Sequence, residues 1–177
     1  MIGPRRVAIV ATLLAAGCGD AADAAGDGPA PDVRALAGDA ILHTLEQLRS
    51  RPLLVNFWAM WCVPCVAELP DLVAVTRTFR ERGGEVVGIS FDMAQRGVTL
   101  PATLDQLDSF LRARAIEFPI LLLADGDPRR LNDRFDLPGN LPVTLAIDRD
   151  GRVVEVHEGA ASRADFERLA AAAFSAH

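Results

Sequence analysis

Tyrosine is absent from this 177-residue chain, and aromatic residues make up 6% of it. A platform for stacking bases or sugar rings is therefore not expected. Positive charge is short: 18 Lys and Arg face 24 Asp and Glu, a net charge of −6. The basic footprint of a nucleic-acid partner is missing, and the bulk charge repels anionic lipid. Cysteine occurs three times, as Cys18, Cys62 and Cys65, and His43, His157 and His177 are scattered. Zinc on the two close cysteines would need two more ligands. With no second cysteine pair and no ligand-like histidine spacing, neither a metal nor another cofactor is expected. No internal repeat is present.

What is there begins with an address. Half of the residues are hydrophobic, enough for one packed domain behind a targeting segment. Arg5 and Arg6 precede an apolar run over residues 7–16. That is the length of a signal-peptide core and about half of what spans a bilayer. Residues 1–17 are therefore expected to be a signal peptide. Leu14-Ala15-Ala16-Gly17-Cys18 resembles a bacterial lipobox, which implies lipidation of Cys18 after cleavage before it. Lipoboxes favour leucine where Ala15 stands, and Ala22-Asp23-Ala24 offers ordinary cleavage further on. Residues 18–35, rich in Ala, Gly, Asp and Pro, are expected to be a disordered tether. Its root-mean-square span would be roughly 20–25 Å. Export to the periplasmic or extracytoplasmic face, with a membrane anchor through Cys18, is the expectation. Residues 36–177 are left for the domain.

Residues 52–59 form a nearly continuous apolar run, the pattern of a buried central strand. Residues 62–82 read as a helix, bent or interrupted near Pro70 and ended by Gly83-Gly84. A second buried strand is expected over 85–91 and a third over 119–123. Between them, Leu104, Leu107, Phe110 and Leu111 have helical spacing within 103–115. Residues 127–135 read as a short helix. Residues 143–147 and 153–157 read as strands joined by the turn Asp148-Arg149-Asp150-Gly151. Residues 162–176 read as a closing amphipathic helix with Ser162 as N-cap. In the lead-in, a short strand is expected at 40–42 with one helical turn after it. The alternation predicts an α/β fold, a central mixed sheet flanked by helices.

Trp61-Cys62-Val63-Pro64-Cys65 follows the first buried strand and opens a helix. Two cysteines at that spacing can close a small disulfide loop. The free N–H groups and dipole of a helix N-terminus favour a thiolate, which lowers the pKa expected of Cys62. A thiolate is the nucleophile of thiol–disulfide exchange, and Cys65 is placed to resolve the mixed disulfide. Pro64 falls in the first turn, where its missing N–H costs little.

Val55-Asn56-Phe57-Trp58-Ala59-Met60-Trp61-Cys62-Val63-Pro64-Cys65 resembles the active-site segment of the thioredoxin superfamily. Cys62-Val63-Pro64-Cys65-Val66-Ala67-Glu68-Leu69-Pro70 resembles, more narrowly, that of the membrane-associated TlpA/ResA reductases. Leu141-Pro142-Val143-Thr144-Leu145-Ala146-Ile147-Asp148-Arg149-Asp150-Gly151 is similar to their proline loop and hairpin. The likeness runs from about residue 36 to the C-terminus. It implies a thioredoxin-like fold with an extra N-terminal lead-in and a helical insert at 98–108. It also implies a cis Leu141–Pro142 bond facing the cysteines, with the Leu141 backbone edge pairing with an extended substrate. Trp61, Val63, Pro64, Leu141 and Pro142 would then touch substrate. Ordinary thioredoxins carry a buried aspartate where this chain has Asn56, which cannot take up a proton at neutral pH. TlpA/ResA-like proteins commonly carry Asn there too. Glu68, three residues after Cys65 on the same helical face, is the remaining nearby acid. Partial burial would raise its pKa toward the working range, and it is expected to assist proton transfer at the thiols.

The expected activity is thiol–disulfide oxidoreduction through a Cys62–Cys65 redox disulfide. The resemblance implies reduction of exported clients, such as cytochrome c or copper-site assembly factors. An oxidising compartment would otherwise leave the pair oxidised, so a membrane electron donor is implied. The alternative is a metallochaperone holding Cu(I) on the same two thiols.

Overall fold

The computed structural model describes residues 31–175, so Cys18, the expected signal peptide, most of the expected tether and His177 lie outside the described residues. In chain order it contains β1 (Val33–Leu36), α1 (Gly38–Gln47), β2 (Leu53–Trp58), α2 (Val63–Glu81) and β3 (Glu85–Ser90). A single 3-10 turn (Asp92–Ala94) leads to α3 (Leu100–Ala113), β4 (Ile120–Leu123), α4 (Arg129–Phe135), β5 (Val143–Ile147), β6 (Val153–Glu158) and α5 (Arg163–Phe174).

The six strands make one sheet in the order β1-β4-β3-β2-β5-β6. The first four strands in that order run parallel, and β5 and β6 are antiparallel additions. Every residue of β2, β4 and β5 is buried, as continuous apolar runs require when both faces of a sheet are covered. The covering helices pair off: α2 packs on α5 and β3, and α1 on α4 and β4. This is the α/β sheet expected, and α3 overlaps the segment 98–108 where a helical insert is expected.

The lead-in departs from expectation. Its strand is β1, and Ala40, Ile41 and Leu42 lie inside α1. Ile41 and Leu45, one helical turn apart, are both buried, so a 3.6-residue period governs this segment. Val33–Ala35, within the expected tether, instead pair with β4. α2 also runs through Pro70 without a break. Pro70 lies on the exposed side, where water can satisfy the carbonyl that proline leaves unbonded. Leu69, Leu72, Val75 and Phe79 bury the other side and hold the helix in place. α3 begins three residues before the expected 103, because Pro101 suits a first turn.

The helix ends follow their signals. Gly83 takes a φ of +90°, and the Gly83 and Gly84 N–H groups donate to the Arg80 and Phe79 carbonyls at 2.8 and 3.0 Å. That pair of bonds closes α2 in a Schellman motif. Ser162 and Asp165 form a reciprocal capping box at the start of α5. No helix among the described residues is long and apolar enough to cross a membrane.

Candidate active site

After β2 the chain turns sharply. The Cys62 N–H donates to the Ala59 carbonyl at 3.1 Å, closing a four-residue turn into α2. Cys62 is the N-cap of α2, and its Sγ accepts the Cys65 N–H at 3.3 Å. The two sulfurs are bonded, with Cα atoms 5.2 Å apart. The Cys62 sulfur thus sits where unpaired helix N–H groups point, a position that favours negative charge. Pro64 lies in the first turn, as its chemistry predicts. Cys65 is fully buried and Cys62 is 6% exposed, whereas Trp61 and Val63 beside them are 46% and 79% exposed.

The proline loop meets this turn from the next strand. The Leu141–Pro142 peptide is cis. Val143 pairs with Phe57 in antiparallel register, so Pro142 enters β5 at the end of the sheet where the chain leaves β2 for Cys62. Pro142 is buried and Leu141 half-buried.

Behind the cysteines lies a buried carboxyl group. Glu68 is 3% exposed; its Oε1 accepts from the Asn56 Nδ2 and its Oε2 from the Ala161 N–H, each at 2.8 Å. Asn56 also donates to Thr144 Oγ1 at 2.9 Å. Two linked side chains, Glu68 and Asn56, thus join α2, β2, β5 and the β6–α5 connection. Burial pushes the Glu68 pKa above its ordinary 4.5, while the Ala161 and Asn56 hydrogen bonds and the charge of His157 pull it down. Asn56 stands out in the sequence; Thr144 and Ala161 do not.

A second buried acid, Asp92, escapes sequence reasoning altogether. Its Oδ1 accepts the Met60 N–H at 2.8 Å and its Oδ2 accepts the Ser90 hydroxyl at 2.7 Å. Burial raises its pKa above the ordinary 3.8, and the two hydrogen bonds oppose that rise. The one local signal is an acid two residues after a serine at the end of an apolar strand. Among the described residues, no group of three His, Cys, Asp or Glu is placed to hold a metal ion.

A mixed sheet that delivers a C-x-x-C disulfide to a helix start, beside a cis-proline loop, defines a thioredoxin-like protein. The chain belongs to the AhpC/TSA family, whose pattern matches residues 27–156. It is similar to the thiol-disulfide oxidoreductase ResA of Bacillus subtilis, 29% identical over 115 residues that cover 65% of this chain and 57% of that protein. Across three ResA relatives the chain spans 54–65% of their length. The crystal structure of a thioredoxin-family thiol:disulfide interchange protein from Chlorobium tepidum aligns with a TM-score of 0.58 at 30% identity, covering 72% of this chain and 83% of that one. A secreted disulfide oxidoreductase of Mycobacterium tuberculosis aligns with a TM-score of 0.55 at 25% identity, covering 72% and 85%.

Proposed function

We propose that this chain is a thiol–disulfide oxidoreductase that reduces exported proteins through Cys62 and Cys65. The observation that carries the reading is the disulfide at the start of α2, with Cys62 Sγ accepting a helix N–H. The ResA and Chlorobium tepidum relatives support it by name. The Cys62 thiolate attacks a sulfur of the client disulfide, forming a mixed disulfide and expelling one client thiolate. Cys65, deprotonated, then attacks Cys62 Sγ and expels the second. The client gains two electrons and two protons, and Cys62–Cys65 is left oxidised. A membrane dithiol donor returns the electrons. Glu68, one turn past Cys65 and with its pKa raised by burial, exchanges protons with the thiols.

Trp61, Val63 and Pro64 form the exposed rim against which a client docks. Leu141 makes no backbone hydrogen bond among the described residues, which leaves an edge for an extended client segment. Export by residues 1–17 and anchoring through a lipidated Cys18 on a tether that ends before β1 complete the reading. The secreted Mycobacterium tuberculosis relative supports export. Cytochrome c and copper-site assembly proteins are the proposed clients.

The test is turnover of a disulfide-bonded model peptide with a dithiol donor, followed by alkylation and mass. Exchange is expected in the wild type, loss in Cys62→Ser, and a trapped mixed disulfide in Cys65→Ser. Stoichiometric Cu(I) retention without exchange would overturn the reading in favour of the metallochaperone.

A further inference from the structure

We propose that Asp92 is a positioning residue of the redox site: held by Ser90, its carboxylate grips the Met60 N–H and fixes the turn that presents Trp61 and Cys62. The inference rests on the oxidoreductase reading and adds a residue from the turn after β3, a segment that carries none of the cysteines.

The turn from Ala59 to Cys62 has one internal backbone bond, from the Cys62 N–H to the Ala59 carbonyl. The N–H of the second residue in such a turn has no partner within it. Here that residue is Met60, and Asp92 Oδ1 accepts its proton at 2.8 Å. The contact lies just where the backbone ladder runs out. β2 and β3 pair from Leu53 and Glu85 to Trp58 and Ser90, and the Phe91 N–H donates to the Trp58 carbonyl at 2.9 Å. Two residues beyond the Trp58–Ser90 pair on each side, the Asp92 side chain continues the seam and ties the turn to β3.

Asp92 is itself firmly held. It is 4% exposed, and its other oxygen accepts the Ser90 hydroxyl at 2.7 Å. The Ser90 bond is local, two residues away, and Asp92's other bond, to Met60, spans 32. A carboxyl group taken out of water is costly unless its oxygens are bonded, so the site accepts that cost for this particular grip. What it holds matters to chemistry. The turn sets both the exposed Trp61 and the place of Cys62 Sγ over the first N–H groups of α2, and misplacement of about 1 Å can cost up to a hundredfold in rate.

The test compares Asp92→Ala and Asp92→Asn in the full chain. Asn keeps an Oδ1 to accept the Met60 N–H, and its Nδ2 donates to Ser90 Oγ, so it preserves the grip without the charge. The first readout is the pH midpoint of Cys62 alkylation by iodoacetamide, and the second is the rate of exchange with a model disulfide. In Asp92→Ala the midpoint is expected to move by about half a pH unit and the rate to fall about tenfold. Asp92→Asn should restore both to within about threefold of wild type. Wild-type behaviour of Asp92→Ala overturns the proposal. So does an Asp92→Asn variant as impaired as Asp92→Ala, which would assign the effect to charge. If Asp92→Ala does not fold, hydrogen exchange on the wild type decides. A Met60 amide protected like its β2 neighbours supports the grip, and a freely exchanging one overturns it. Alkylation and amide exchange need no client or donor, so they remain decisive even if the protein proves to catalyse no exchange.

Discussion

The Asn56 carboxamide donates to Glu68 Oε1 at 2.8 Å, and both side chains are buried. A neutral donor thus stands beside the one buried acid on the α2 side of the cysteines. It can steady an ionised Glu68 without adding a charge that the interior would have to hold.

Replacing that donor by an acid should be felt at once. In Asn56→Asp two carboxyl groups share a hydrogen-bonding distance and cannot both ionise freely. The pair should keep one proton near neutral pH and titrate in two coupled steps, visible by carboxyl carbon NMR. Two independent titrations near ordinary carboxylate values would show that the packing of Asn56 on Glu68 is wrong. Asn56→Ala should instead cost about 1–3 kcal/mol, because Glu68 loses a partner while remaining buried.

Glu68 also makes stability depend on pH in a definite sense. Its folded pKa lies above the unfolded value near 4.5, so the folded state holds the proton more tightly. The resulting contribution is fully present below pH 4.5 and is lost as pH rises through the folded pKa. Asp92 acts in the same sense from 3.8 upward, and exposed Asp127, held at about 2 by Arg129, acts in the opposite sense. The difference between wild type and Glu68→Gln isolates the first of these. Melting curves from pH 4 to 8 should show Glu68→Gln gaining on the wild type as pH rises. Parallel curves would remove Glu68 from the pH response.

Gly88 is tight against the core of the sheet. A Cβ there would lie 2.6 Å from Ile120 Cδ1 and 3.0 Å from Trp58 Nε1. Gly88→Ala should therefore cost about 1–3 kcal/mol in denaturant melts.

The capping box separates folding from chemistry. Ser162→Ala removes the hydroxyl that accepts the Asp165 N–H and should cost about 1 kcal/mol of stability. Exchange at Cys62 should be unchanged once the protein is folded. A variant folded but inactive would tie the start of α5 to the redox site more closely than proposed here.

Legibility followed the range of the interactions involved. β2, the cysteine pair and the start of α2 were readable because a continuous apolar run, a C-x-x-C and an early proline are all local signals. The cis bond before Pro142 was reachable only through resemblance, since nothing in the dipeptide itself selects that isomer. Residues 40–42 form helix rather than the expected strand: three residues cannot separate a period of 2 from one of 3.6, and Ile41 and Leu45 together can. Pro70 looked like a breaker, but burial of Leu69, Leu72, Val75 and Phe79 outweighs one lost backbone bond. Thr144, Ala161 and Asp92 reach partners 88, 93 and 32 residues away, and no pattern within a short window announces such meetings.

The central claim is that Cys62 and Cys65 form a reducing, exchange-competent couple. It is tested most directly by equilibrating the protein with dithiothreitol and glutathione buffers of known potential, then counting alkylated thiols by mass. The predicted result is that both cysteines oxidise and reduce together in one two-electron transition, at a potential on the order of −270 mV. A pair that fails to equilibrate, or one poised near about −120 mV as a strong oxidant, would contradict it.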